Sequence, residues 1–153
     1  MKTPLSVAVA QLDCVVGDIS GNARRILDAA TRAKAAGADV LLTPELALCG
    51  YPPEDLLLRP AFLQACAEEL DALAAQLHGI TVLVGYPAER AGERFNAAAV
   101  IQGGRVARTY FKHRLPNYEV FDEERYFEPG HEACVFELKG VRVGVNICAD
   151  VWE

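Results

Sequence analysis

Among the five cysteines of this 153-residue chain, Cys14, Cys49, Cys66, Cys134 and Cys148, no two are spaced as CxxC. Without such pairing, neither a zinc site nor a secreted disulfide framework is indicated, and the odd count points to a reducing compartment. No apolar run is long enough to cross a bilayer. The opening "MKTPLSVAVAQLD" has only a short apolar run, interrupted by Ser6 and Gln11, and is expected to be a strand rather than a signal peptide. The expected location is the cytosol. A basic stripe interleaved with aromatics is also missing, and the net charge of −6 gives no support to a nucleic-acid or acidic-membrane partner. Internal repeats, low-complexity tracts and linkers are absent. The three histidines, His78, His113 and His131, are scattered and form no cysteine–histidine signature.

What is present is a globular composition, 52% hydrophobic and 24% charged, in a length that suits one core-forming domain. "LSVAVAQL" (5–12) is a β-type run that can be covered on both faces. In "DISGNARRILDAATRAKAAG", Ile19, Ala23, Ile26, Leu27 and Ala30 recur at helical spacing, with Ser20 or Asn22 as candidate caps and Gly37 at the end. "ADVLLTPE" is a short buried strand. This strand–helix–strand order is that of an α/β layer structure. "CGYPPEDLLLRP" is a loop with one helical turn, because Gly50, Pro52, Pro53 and Pro60 punctuate it. Leu63, Cys66, Leu70, Leu73 and Leu77 predict a second amphipathic helix over 61–77. "ITVLVGYPAE" is a strand. Hairpins are expected around Gly103-Gly104 and around Lys139-Gly140, the second ending at Cys148. "NYEVFDEERYFEPG" is too irregular for a regular element.

Three strand ends deliver polar or reactive groups: Glu45 after "LLTP", Lys112 after "TYF" and Cys148 after "VNI". Ligands gather where strands end in sheets with helical cover, so the three are candidates to converge. Their chemistry is coherent. A thiol is mostly protonated at neutral pH and needs a base or a positive neighbour to act as a nucleophile. A buried carboxylate can take the thiol proton and return it to a leaving amine. A lysine ammonium can help ionise the thiol and hold the oxyanion, with the N–H of Ala149 as a second donor. Each residue also has an ordinary reading. An apolar-flanked cysteine is usually inert core, a glutamate after proline is often a cap or surface charge, and a lysine in "FKHR" is usually solvated. By the same reasoning Asp122, Glu123 and Glu124 are a solvated acidic face, and Tyr51, Tyr118 and Trp152 are packing residues.

Taken in order, "LLTPELALCGYPPEDLL", "FKHRLPNYEVFDEERYFEPG" and "VGVNICADVW" resemble the glutamate, lysine and cysteine segments of the nitrilase, or carbon–nitrogen hydrolase, superfamily. "GYPPEDLL" and "LPNYEVFDEERYF" are similar, more narrowly, to the glutaminase domains of glutamine-dependent NAD synthetases. The resemblance implies a four-layer αββα sandwich, of which 1–153 would be the N-terminal portion. It implies Glu45 as general base, Lys112 at the oxyanion, Cys148 as nucleophile, Tyr118 and Ala149 against the substrate, and Glu123 orienting the lysine. At the position after the cysteine the group commonly has an acidic residue where this chain has Ala149, so a side-chain contact to the substrate's amino group is in doubt there. Glutamine is the implied substrate and a C-terminal synthetase domain the implied partner. ATP and Mg2+ are expected only in that domain, with no cofactor or metal in this segment. A homo-oligomer is expected, because half a sandwich exposes core surface. The alternatives are a stand-alone aliphatic amidase or carbamoylase, and a non-catalytic binding domain on the same scaffold.

Overall fold

The computed structural model describes residues 4–152, so the first three residues of "MKTPLSVAVAQLD" and the last of "VGVNICADVWE" lie outside the described residues. Three parallel strands come first in one sheet, β1 (Val7–Val9), β2 (Val40–Leu42) and β3 (Thr81–Arg90). Two antiparallel strands extend it, β4 (Glu93–Gln102) and β5 (Arg105–Phe111), giving the order β1-β2-β3-β4-β5. A second, two-stranded sheet is formed by β6 (Val135–Leu138) and β7 (Val141–Gly144).

The layers follow from side-chain alternation along β4. Ala97, Ala99 and Ile101 point to one face, where they meet helices α1 (Ile19–Ala35) and α2 (Pro60–Ala74) through Ile26, Ala30, Leu70 and Leu73. Ala98 and Val100 point to the other, where with Tyr110 they meet Phe136, Val145 and Ile147 of the second sheet and its continuation. A strand buried on both faces reads as a continuous apolar run, and "AAAVI" is one. The described residues therefore make a helix layer, a sheet and a second sheet, three layers of the implied sandwich. Each of the three hairpins turns on two residues with positive φ: Ala91-Gly92, Gly103-Gly104 and Lys139-Gly140. Lys139 also forms an ion pair with Asp39, which fastens the second sheet to the start of β2.

Several elements differ from expectation. β1 is three residues long, and Val7 and Val9 are 52% and 68% exposed, because the second sheet covers the β4–β5 side of the first sheet and not the β1 side. The cap of α1 is Asp18, which accepts from the Gly21 N–H at 3.0 Å. Asn22 is buried instead: it accepts from Val15 N–H and donates to the carbonyls of Val15 and Leu48. Helix α2 begins at Pro60, which suits a first helical position where the missing N–H has no partner to lose. It ends at Ala74, with Leu77 buried in the turn beyond. The strand expected to run into Cys148 stops at Gly144, and Cys148 opens a 3-10 turn.

Candidate active site

Glu45 follows β2 by three residues, on a turn that lies against β3. The Thr43 hydroxyl donates to the Leu83 carbonyl at 2.8 Å and accepts from Gly85 N–H at 3.2 Å, pinning the turn. The approach is close enough to demand glycine at 85: a Cβ there would stand 2.5 Å from Leu46 N and from Pro44 O. The glutamate is thus placed by main-chain contact and not by a mobile surface loop.

Lys112 follows β5. Tyr110 and Lys112 share one face of the strand, since side chains alternate with a period of two. That face looks between the sheets, and Lys112 is 1% exposed. Its Nζ lies 2.5 Å from Glu45 Oε1, 2.9 Å from Glu123 Oε1 and 3.0 Å from Glu123 Oε2. Glu123 opens the 3-10 turn Glu123–Arg125 and is buried, not part of a solvated acidic face. Asn96, on the same face of β4 as Ala98, donates Nδ2–H to Glu45 Oε1 at 2.7 Å and to Glu123 Oε2 at 3.4 Å. Its backbone carbonyl accepts from Lys112 N–H at 2.8 Å.

Cys148 has φ +42°, a left-handed conformation uncommon for a residue with a side chain. Asp150 holds the turn that carries it. One carboxylate oxygen accepts from Ile147 N–H at 2.9 Å and the Tyr110 hydroxyl at 2.6 Å. The other accepts from His113 N–H at 3.0 Å and Arg114 N–H at 2.8 Å. The Cys148 side chain is exposed and lines a cavity of about 370 Å³ together with Pro44, Glu45, Gly85 and Asn146.

The electrostatics of the site follow from burial and from three charges. Burial alone would lower the Lys112 pKa, but Glu45 and Glu123 outweigh it and the ammonium is held above its ordinary range. Burial raises the Glu123 carboxyl, and Glu45 adds to the rise because two carboxylates share one cation. Desolvation and then the Glu45 charge push the Cys148 thiol up, and the opposing pull of Lys112 does not prevail. Lys112 does favour the thiolate, as expected, but its charge is shared with two anions and is outweighed. The charges acting most strongly on the sulfur are Glu45, Lys112 and Glu123.

Tyr118 and Ala149 line a second cavity, of about 510 Å³, with Arg114 and Trp152. The two expected substrate residues thus share one cavity, separate from the one lined by Glu45 and Cys148, and the two cavities border consecutive residues, Cys148 and Ala149. Tyr118 packs edge-on against Phe121 at 5.8 Å, and Phe121 against Trp152 at 6.0 Å. The N–H of Ala149 belongs to the first turn of its 3-10 segment, where amides have no intrahelical acceptor. Tyr51 is not plain packing: burial and the nearby Glu123, Glu45 and Cys148 raise its hydroxyl pKa. Among the described residues no group of three or more His, Cys, Asp and Glu is arranged to hold a metal ion, and no helix is long and apolar enough to cross a membrane.

Sequence reasoning missed Asn96 and Asp150. Asn96 carries a signal, a lone amide inside the buried run "FNAAAVI". Asp150 stands two residues past the cysteine, with nothing local to mark its four partners.

The carbon-nitrogen hydrolase family pattern matches residues 6–152. The chain belongs to this family. Within it, the chain is 51% identical over 155 residues to a glutamine-dependent NAD(+) synthetase of Xylella fastidiosa, covering 99% of this chain and 28% of that protein. It is 46% identical over 156 residues to one from Synechocystis, over 97% of this chain and again 28% of the relative. The solved glutamine-dependent NAD+ synthetase of Acinetobacter baumannii, in complex with ADP, superposes with a TM-score of 0.92 at 42% identity, over 97% of this chain and 28% of that one. An amidase from Nesterenkonia, solved as a mutant with acrylamide added at its active-site cysteine, superposes at 0.83 with 28% identity, over 97% of this chain and 59% of that one. The chain spans little more than a quarter of the length of the curated relatives it matches.

Proposed function

We propose that this chain carries the glutaminase chemistry of a glutamine-dependent NAD(+) synthetase, with Cys148 as nucleophile, Glu45 as general base and acid, and Lys112 as oxyanion cation. The observation that supports it is the buried ammonium of Lys112, held by Glu45 and Glu123, with Glu45 lining one cavity with Cys148.

The resting thiol is protonated, so its proton passes to Glu45 as sulfur attacks the carboxamide carbon. Charge developing on the carboxamide oxygen is met by Lys112 Nζ and by the N–H of Ala149. Collapse breaks the C–N bond, Glu45 returns its proton to the departing nitrogen, and ammonia leaves a thioester on Cys148. Water then gives a proton to Glu45 and attacks the thioester carbon. The C–S bond breaks, the proton returns to sulfur, and glutamate is released. Tyr118 contacts the substrate, and Glu123 orients Lys112 without reacting. The ammonia is consumed in a synthetase domain, the proposed site of ATP and Mg2+ and the proposed partner together with further copies of the chain. A stand-alone amidase or carbamoylase has weaker support, since the amidase likeness stands at 28% identity and the NAD synthetase likeness reaches 51%.

Mass spectrometry of the intact enzyme treated with a glutamine-like electrophile tests this: a single adduct on Cys148 is expected, and an adduct elsewhere overturns it. Cys148→Ala is expected to abolish glutamine-dependent synthesis and spare synthesis from added ammonia. Loss of neither would return the chain to a binding role.

A further inference from the structure

Asn96 touches all three charged residues of the site: Lys112 through its main chain, Glu45 and Glu123 through its amide. Its carbonyl oxygen, Oδ1, is buried with no partner among the described residues. An orphaned buried carbonyl is costly, and turning the amide over is the usual remedy. Here the remedy is barred, because a flipped amide would set a carbonyl oxygen against two carboxylates. The orientation is thus dictated by Glu45 and Glu123 at the expense of local satisfaction.

Two donors converge on one oxygen of the glutamate. Lys112 Nζ is 2.5 Å and Asn96 Nδ2 is 2.7 Å from Glu45 Oε1. Oε2 takes no hydrogen bond among those of the described residues, and Glu45 lines the cavity into which Cys148 also faces. We infer that Asn96 is a positioning residue for the base: by saturating Oε1 beside Lys112, it reserves Oε2 of Glu45 for the Cys148 proton. This rests on the reading of Glu45 as the base. The asparagine does not exchange a proton. It fixes which lone pair is available and keeps the carboxylate from rotating an occupied oxygen toward sulfur. The spacing of the Glu45 and Glu123 carboxylates about one ammonium is also held, since the same amide reaches both.

The test compares Asn96→Leu, close in size and without a donor, and Asn96→Asp, close in shape with an acceptor in place of the donor, in the intact enzyme with glutamine. Both are expected to lose kcat on the order of 100-fold, the scale of positioned acid–base catalysis, with KM for glutamine changed by less than about threefold. For Asn96→Leu the acid limb of kcat against pH moves up, because an anion that has lost a donor is harder to keep ionised. A purely structural role would lower melting temperature and leave that limb in place. A folded Asn96→Leu with unchanged kcat and an unchanged limb overturns the inference. If the leucine variant does not fold, Asn96→Asp decides on the same readings: retained kcat overturns it, and lost kcat with retained KM upholds it. Glu45→Gln serves as the control. If it retains turnover, the reading of Glu45 fails, whatever Asn96 does.

Discussion

Asp150 accepts the backbone N–H of His113 at 3.0 Å, tying the residue after Lys112 to the turn that begins at Cys148. The two functional groups are 36 positions apart along the chain, and one carboxylate sets their separation. Replacement by alanine leaves the Ile147, His113 and Arg114 amides and the Tyr110 hydroxyl without this acceptor.

Asp150→Ala is therefore expected to destabilise the protein by about 2 kcal/mol and to lower kcat further than KM, as checked by denaturant unfolding and glutamine kinetics. Burial opposes the charge on Asp150, but its four donors outweigh burial and hold the carboxyl below the usual aspartate range. A group with a depressed folded pKa stabilises above the unfolded value and loses that stability as pH falls through the folded value. Stability of the parent protein should thus fall on acidification below the ordinary aspartate range. Asp150→Ala should flatten that part of the curve.

At Cys148 the resting thiol and the working nucleophile respond in opposite directions to one change. Burial and then the Glu45 charge hold the thiol pKa up. Glu45→Gln removes that charge while Lys112 remains, so iodoacetamide should label Cys148 at lower pH than in the parent. Glutamine turnover should nevertheless fall on the order of 100-fold or more, because no base remains. Labelling that shifts to higher pH in this variant would contradict the electrostatic account.

Lys112→Met leaves two carboxylates facing one another in a largely buried site. Breaking one side of a buried ion cluster typically costs about 3 kcal/mol or more. Unfolding at neutral pH should show that loss. Part of it should be recovered on acidification, as Glu123, whose carboxyl burial already raises, takes up a proton.

Gly85→Ala probes the placement of Glu45 without touching it. The added Cβ would fall 2.5 Å from backbone atoms of Pro44 and Leu46, so the Glu45 turn must move. Displacement of a catalytic group by a fraction of an ångström to an ångström costs on the order of 100-fold in rate. The expected signature is a kcat loss of that order, with KM for glutamine changed much less.

Glu45, Lys112 and Cys148 are legible in the sequence because each interrupts an apolar strand-like run at its end, and period-two alternation sends Lys112 into the gap between sheets. The hairpins at Gly103-Gly104 and Lys139-Gly140 are legible because two-residue turns need residues tolerant of positive φ. Asn96 and Asp150 are not. Their partners lie 51 and 27 positions away for Asn96 and 40, 37, 36 and 3 positions away for Asp150, and pairing at such separations leaves no local period. The burial of Glu123 was equally hidden, since "DEER" has the composition of a wetted turn and its partner Lys112 lies 11 positions away. β1 appeared longer than it is because alternation and apolarity describe what a strand can bury and not which neighbour is there to cover it.

The complete enclosure of the Lys112 side chain has a chemical corollary. Surface amines react readily with succinimidyl esters, anhydrides and enzymatic acetyl donors, whereas an ammonium walled in by two carboxylates, an asparagine and the strand behind it is shielded from all of them. Exhaustive amine acylation of the native protein should spare this nitrogen. Residual glutamine turnover after such treatment would then report directly on how intact that enclosure is.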